Sequence, residues 1–189
     1  MRMEAERNAG FNLIELIITL SLLAILAATS GPSLASLLAN SEVKAISILL
    51  NASLKTARNQ ALTNQTYVHV CAMSHTDSTV CDTQRDYNAN WSKGWLVFAD
   101  INLNNDLDNA DHLISSIFNH GNSRIVFNQR GRLRFFPDGG ARSAGFYLCN
   151  PDAKEAIHLK IFHTGRTRSQ NNMSDKRKTI CTQTAGTNN

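Results

Sequence analysis

Almost every residue from Phe11 to Ala28 is apolar, with Asn12, Glu15, Thr19 and Ser21 the polar interruptions. A run of this length is just enough to cross the hydrocarbon of a bilayer. A secretory signal has a shorter apolar core followed by a small-residue cleavage site. Here the small residue, Gly10, precedes the run. Cleavage there would remove the polar leader (residues 1–10) and keep the hydrophobic helix. Glu15 is the costly residue, because a carboxylate inside an apolar span needs a partner. Cleavage after Gly10 would leave an α-amine on Phe11, four residues before Glu15 and on the same helical face. That amine could pair with Glu15 of its own chain or of a neighbouring one. The plainer alternative is a signal anchor that tolerates one charge near the interface.

After Gly31-Pro32 the pattern stays helical but becomes two-faced. Leu34, Leu37, Leu38, Ile46, Leu49, Leu50, Leu54, Ala57 and Ala61 recur at spacings of three and four, with Asn40, Glu42, Lys44, Lys55 and Arg58 between them. Pro32 removes one backbone hydrogen bond, which bends a helix without necessarily ending it. A helix over residues 12–64 would span roughly 80 Å. Its apolar stripe is expected to lie on a globular domain.

From Thr66 the period becomes strand-like. Expected strands are Tyr67–Met73, Trp95–Asp100, His112–Phe118, Arg124–Asn128, Arg132–Phe136, Gly145–Cys149, Ile157–Phe162 and Thr179–Thr182, each bounded by Gly, Asn, Asp or Pro. Without crossover helices such strands pair antiparallel. The fold class is therefore α+β, one long helix packed on antiparallel sheet. The chain divides into a leader (1–10), a membrane or filament-core helix (11–31), an amphipathic helix (32–64) and a β-rich head with a basic C-terminal region (65–189). His69 and His158 alternate with apolar neighbours and read as surface residues of a sheet.

GFNLIEL at Gly10–Leu16 resembles the GFTLIEL cleavage motif of type IV prepilins, with Asn12 in place of Thr. GWLVFADINLNNDLDNADHLI (Gly94–Ile114), RIVFNQRGRLRF (Arg124–Phe135) and GFYLC (Gly145–Cys149) are similar to segments of the GspH/FimT family of minor pilins and pseudopilins. The resemblance implies a pilin fold, cleavage after Gly10 by a prepilin peptidase and N-methylation of Phe11. It also implies assembly with other pilin subunits, in which Glu15 pairs with a subunit amine. The precursor would sit in the inner membrane with its head in the periplasm, and the assembled pilus would reach the cell surface.

Charge is unevenly spread under the modest net +4. Residues 77–111 hold two basic and seven acidic side chains, whereas residues 112–189 hold twelve basic and four acidic ones. Arg130, Arg132 and Arg134 alternate, which puts them on one face of a strand. A second cluster comprises Lys160, Gly165, Arg166, Arg168, Lys176, Arg177 and Lys178, in a segment whose Ser, Thr and Asn content reads as a mobile loop. Arginine forks match phosphate oxygens, and neutralising phosphates releases counterions without reading sequence. The alternative is a solvated positive face that meets anionic lipid or an acidic neighbour. GRTR at Gly165–Arg168 is similar to the G-R-x-R motif of FimT-like minor pilins, which bind double-stranded DNA in natural transformation. Carried over, Arg166 and Arg168 would grip phosphates and Gly165 would allow the turn. Lys160, Lys176, Arg177 and Lys178, and more weakly Arg130, Arg132 and Arg134, join on charge alone. A structural subunit of a type II secretion pseudopilus and an adhesin for acidic polysaccharide are the alternatives.

The four cysteines, Cys71, Cys81, Cys149 and Cys181, read as two disulfides in an exported domain. Three pairings are possible. Cys71–Cys81 with Cys149–Cys181 is favoured because each joins near neighbours in the chain, and zinc is the alternative. Asp100, Asn102, Asn104, Asp106, Asp108 and Asp111 approach the spacing of a calcium loop, but Asn105 replaces its glycine and Asp111 its glutamate. The favoured reading is a hairpin loop whose side chains bond their own backbone. No spacing of histidines, serines or glycines matches a catalytic motif, so neither enzyme activity nor a cofactor is expected.

Overall fold

The computed structural model describes residues 12–82 and 90–171. One helix, α1 (Leu13–Asn64), is followed by eight strands: β1 (Tyr67–Ala72), β2 (Gly94–Asp100), β3 (His112–Phe118), β4 (Arg124–Phe127), β5 (Leu133–Phe135), β6 (Ala144–Cys149), β7 (Ile157–Ile161) and β8 (Thr167–Gln170). They form two four-stranded antiparallel sheets, ordered β3-β2-β1-β5 and β4-β6-β7-β8.

Asn12 caps α1: its carbonyl accepts from the N–H groups of Glu15 and Leu16 at 3.0 and 3.2 Å, and its side-chain oxygen faces Ile14 N. The helix continues through Gly31-Pro32 and stops at Gln65, which takes a left-handed conformation at φ 50°. Its inner stripe is Ala39, Val43, Ile46, Leu50, Leu54, Ala57 and Ala61, all buried. These steps of three and four residues hold one helical face against both sheets. The expected stripe is corrected at its outer end. Leu34, Leu37, Leu38 and Leu49 are exposed, because the head does not reach the first two turns after Pro32 and Leu49 lies off the inner face. The described side chains of Leu13–Ala27 are exposed on every side.

The shared core is aromatic as well as aliphatic. Trp91, Phe127 and Phe146 meet with ring centroids 4.5–5.1 Å apart, and Trp95, Phe135, Leu148 and Leu159 complete it. Glu42 ties the helix to the head by hydrogen bonds as well as packing. Its carboxylate accepts from Ser123 N at 2.7 Å and from Asn150 Nδ2 at 3.0 Å.

Seven of the expected strands form, with ends shifted by a residue or so, and Thr179–Thr182 lies outside the described residues. The eighth strand corrects the loop expectation. Thr167–Gln170 pairs with β7 as the edge of the second sheet. Edge strands have no fully buried face, so an all-polar Thr-Arg-Ser-Gln can extend the ladder without an apolar period to reveal it. Cys71–Cys81 forms, with Cα atoms 5.7 Å apart. Cys149 is also disulfide-bonded, and Cys181 lies outside the described residues.

Glu42→Ala removes two acceptors at once and leaves Ser123 N–H without its partner. Chemical denaturation should show a loss of about 1–3 kcal/mol. A loss below about 0.5 kcal/mol would mean that packing alone positions the helix.

Candidate functional site

The chain reverses between β7 and β8 through His163, Thr164 and Gly165. Phe162 O accepts from Gly165 N at 2.8 Å, and Phe162 N donates to Arg166 O at 2.9 Å. Gly165 has φ +71°, the left-handed closing position of a three-residue hairpin loop. A Cβ at Gly165 would also collide with Gly139 O and press on Arg58 at 3.0 Å. Helix α1 clamps this turn. Arg58 Nε donates to Gly139 O at 3.0 Å, and Thr167 Oγ1 bonds Asn51 Oδ1 at 2.6 Å.

With Thr167 turned toward α1, alternation leaves Arg166 and Arg168 on the solvent side, and both are exposed. Arg168 is the register partner of Lys160 on β7, and Lys160 Nζ stands 4.9 Å from the Phe162 ring centre. Like charges directly opposite each other destabilise a sheet. Lys55 and Arg58 of α1 join Arg166 in lining a cleft of about 330 Å³ with Asn59, Gly165 and Thr167. Among the described residues no carboxylate lies within ion-pair reach of Lys55, Lys160, Arg166 or Arg168. Lys55 and Arg58 read in sequence only as the polar face of a helix. Nothing local marks them, since only the fold brings them to the β7–β8 turn.

The other site residues fall elsewhere. Lys176, Arg177, Lys178, Gly10 and Phe11 lie outside the described residues, and Glu15 is exposed in the first turn of α1. Arg130, Arg132 and Arg134 line one cleft, but only Arg134 lies within β5. Arg130 precedes β5 in a bend, and Arg132 is half-buried and pairs with Asp106 at 2.7 Å. Arg134 is exposed on β5 and bonds Asn105 Oδ1 at 3.1 Å. The acidic β2–β3 loop thus takes up part of the basic charge. Within that loop the Asn and Asp side chains accept from backbone N–H groups, such as Asn104 to Asp106 and Asp108 to Ala110, both at 2.7 Å. The Ala110 N–H, then the Asn102 and Asn104 amides, hold the Asp108 carboxyl below its usual pKa.

The surface reading of His69 and His158 is overturned, since both are buried. His69 stacks on Phe98 at 5.1 Å and His158 on Tyr147 at 4.6 Å. An imidazole alternating with apolar residues serves as a flat aromatic, which alternation alone cannot distinguish from a polar outward residue. Burial is the main cause of the His69 pKa being lowered to about 4; Asp100 opposes the shift, whereas Arg132 and Arg134 add to it.

A long N-terminal helix on antiparallel sheets, its first half left uncovered, defines a pilin fold. The chain belongs to the family of the type II transport protein GspH, whose family model matches residues 49–165, more than half of its length. Arg166 and Arg168 sit just beyond that match. The structure is similar to the type IV minor pilin FimU of Pseudomonas aeruginosa in two crystal forms. One has 17% identity and a TM-score of 0.52, covering 69% of this chain and 89% of that one. The other has 16% identity and a TM-score of 0.50, covering 69% and 90%. No curated protein matches the chain.

Gly165→Ala meets both a left-handed backbone and a blocked Cβ, so it should lower stability by more than about 1 kcal/mol. Equal melting curves would show that the turn adapts. For His69 the folded state binds fewer protons than the unfolded state between pH 6.5 and about 4. Its contribution is therefore complete above pH 6.5 and is lost on acidification through that window, on the order of 3 kcal/mol. His69→Phe should flatten the stability profile there, and an unchanged slope would assign the acid sensitivity to other groups.

Proposed function

We propose that the chain is a minor pilin that binds extracellular double-stranded DNA without sequence preference, for uptake in natural transformation. The observation that carries this reading is the cationic edge of the second sheet. There Lys160 faces Arg168 across the ladder, Arg166 lines the neighbouring cleft with Lys55, and among the described residues no carboxylate lies within ion-pair reach of the four. A polyanion laid along this edge relieves the repulsion and releases counterions. Exposed arginines and lysines suit phosphate oxygens, and the scarcity of exposed aromatic rings among the described residues suits a duplex better than unstacked bases. Lys176, Arg177 and Lys178 extend the patch by charge.

The same reading assigns the N-terminal region. Cleavage after Gly10 by a prepilin peptidase and methylation of Phe11 prepare the uncovered helix for the inner membrane and then for packing among other pilin subunits. Glu15 meets a subunit amine there. The head remains in the periplasm until assembly carries it to the surface. The second reading, a structural pseudopilin of type II secretion, is favoured by the name of the matched family. In that case the cationic edge would dock on an acidic protein.

Binding of the full chain, in detergent, to random-sequence duplexes separates the two. Arg166→Gln with Arg168→Gln should weaken binding tenfold or more at moderate salt, and Lys55→Gln severalfold. The slope of log affinity against log salt should flatten by about one unit per lost phosphate contact. Wild-type affinity in the double variant would remove the assigned site and favour the pseudopilin.

A further inference from the structure

A second cleft, of about 420 Å³, opens beside β5 and shares no lining residue with the one at Gly165. Four arginines line it, Arg130, Arg132, Arg134 and Arg142, together with Phe136 and the buried His69. Its size falls in the range of small-ligand pockets. Three features mark it as built to receive an acceptor. Arg132 spends Nη2 on Asp106, but its buried Nη1 has no hydrogen-bond partner. Arg134 is held in advance by Asn105 and by the rings of Tyr67 and Phe136, each 5.2 Å from its guanidinium carbon. Arg142 is exposed and pairs with nothing among the described residues.

The floor is His69, 1% exposed, with the buried Asp100 carboxylate beside it. Its Nε2 lies 3.2 Å from Asp100 Oδ2. A buried donor without an acceptor is costly to keep, and Arg132 Nη1 is such a donor at this cleft. Asp82 lines the cleft, Asp106 borders it and Asp100 lies beside His69, so the four arginines outnumber three carboxylates.

We propose that this cleft binds a monosaccharide-sized ligand carrying a carboxylate or phosphate, its oxyanion held by Arg132, Arg134 and Arg142. Guanidinium forks give such groups paired hydrogen bonds, and Phe136 offers an apolar wall to a ring face. Nη1 of Arg132 is buried, so only a small group entering the cleft would approach it. The site therefore recognises a compact acidic group, and it does not depend on the DNA reading.

Calorimetric titration of the full chain in detergent, at constant ionic strength, with inorganic phosphate and separately with glucuronate tests this. Saturable binding of at least one ligand is expected, and the tighter arm identifies phosphate or sugar acid as the source. Arg142→Gln should weaken binding tenfold or more, and because Arg142 is exposed and unpartnered the change leaves the packing intact. Arg134→Gln should act in the same direction. The Arg166→Gln/Arg168→Gln variant should bind as wild type. No saturable binding of either ligand overturns the proposal. So does an unchanged affinity in Arg142→Gln, or loss of binding in the Arg166/Arg168 variant.

Discussion

The inner stripe of α1, from Ala39 to Ala61, is the contact on which the rest of the molecule depends. Among the described residues it alone supplies the helix layer against which both sheets close. Small residues at Ala39, Ala57 and Ala61 bring the backbone close to the strands, and Val43, Ile46, Leu50 and Leu54 fill the space between. Among the described residues only this stretch is covered by the head, and the side chains of Leu13–Ala27 are left exposed and mostly apolar, which suits them to membrane anchoring and subunit packing. One helix therefore sets two environments by the length of its amphipathic part.

The same docking places the cationic edge. Thr167 bonds Asn51, Arg58 holds Gly139 O, and Gly165 fits where no side chain can. The β7–β8 turn is thus fixed to the helix on its inner side, and its arginines face outward. The pairing of Lys160 with Arg168 opposes sheet stability. Such local conflict between sequence and fold accords with the proposed binding role of this edge. The acidic β2–β3 loop acts in the opposite sense on the first sheet, where Asp106 neutralises Arg132. The head is polarised because the two sheets present different edges.

Much of this was legible in the sequence because its signals are periodic. The helix, its change from all-round to one-sided apolarity, and seven strands follow from spacing and from Gly, Asn and Asp at their ends. Three things were not legible. β8 lacks any apolar period, since an edge strand of Thr-Arg-Ser-Gln buries no face of its own. Lys55 and Arg58 stand over a hundred residues from Arg166 and join it only through tertiary packing. His69 and His158 carry a polar side chain into a buried layer, where stacking on Phe98 and Tyr147 matters more than charge. Arg132 shows the converse limit: alternation gave its residue type a face, but a distant carboxylate decided its partner.

On the proposed function, duplex DNA lies along the edge formed by β7, β8 and the Lys55 turn of α1. Hydrogen–deuterium exchange of the full chain with and without a random duplex tests this. Slowed exchange is expected around residues 55–58 and 160–168, with the loop at 101–111 unchanged. Protection confined to other surfaces, or none at saturating DNA, would contradict it.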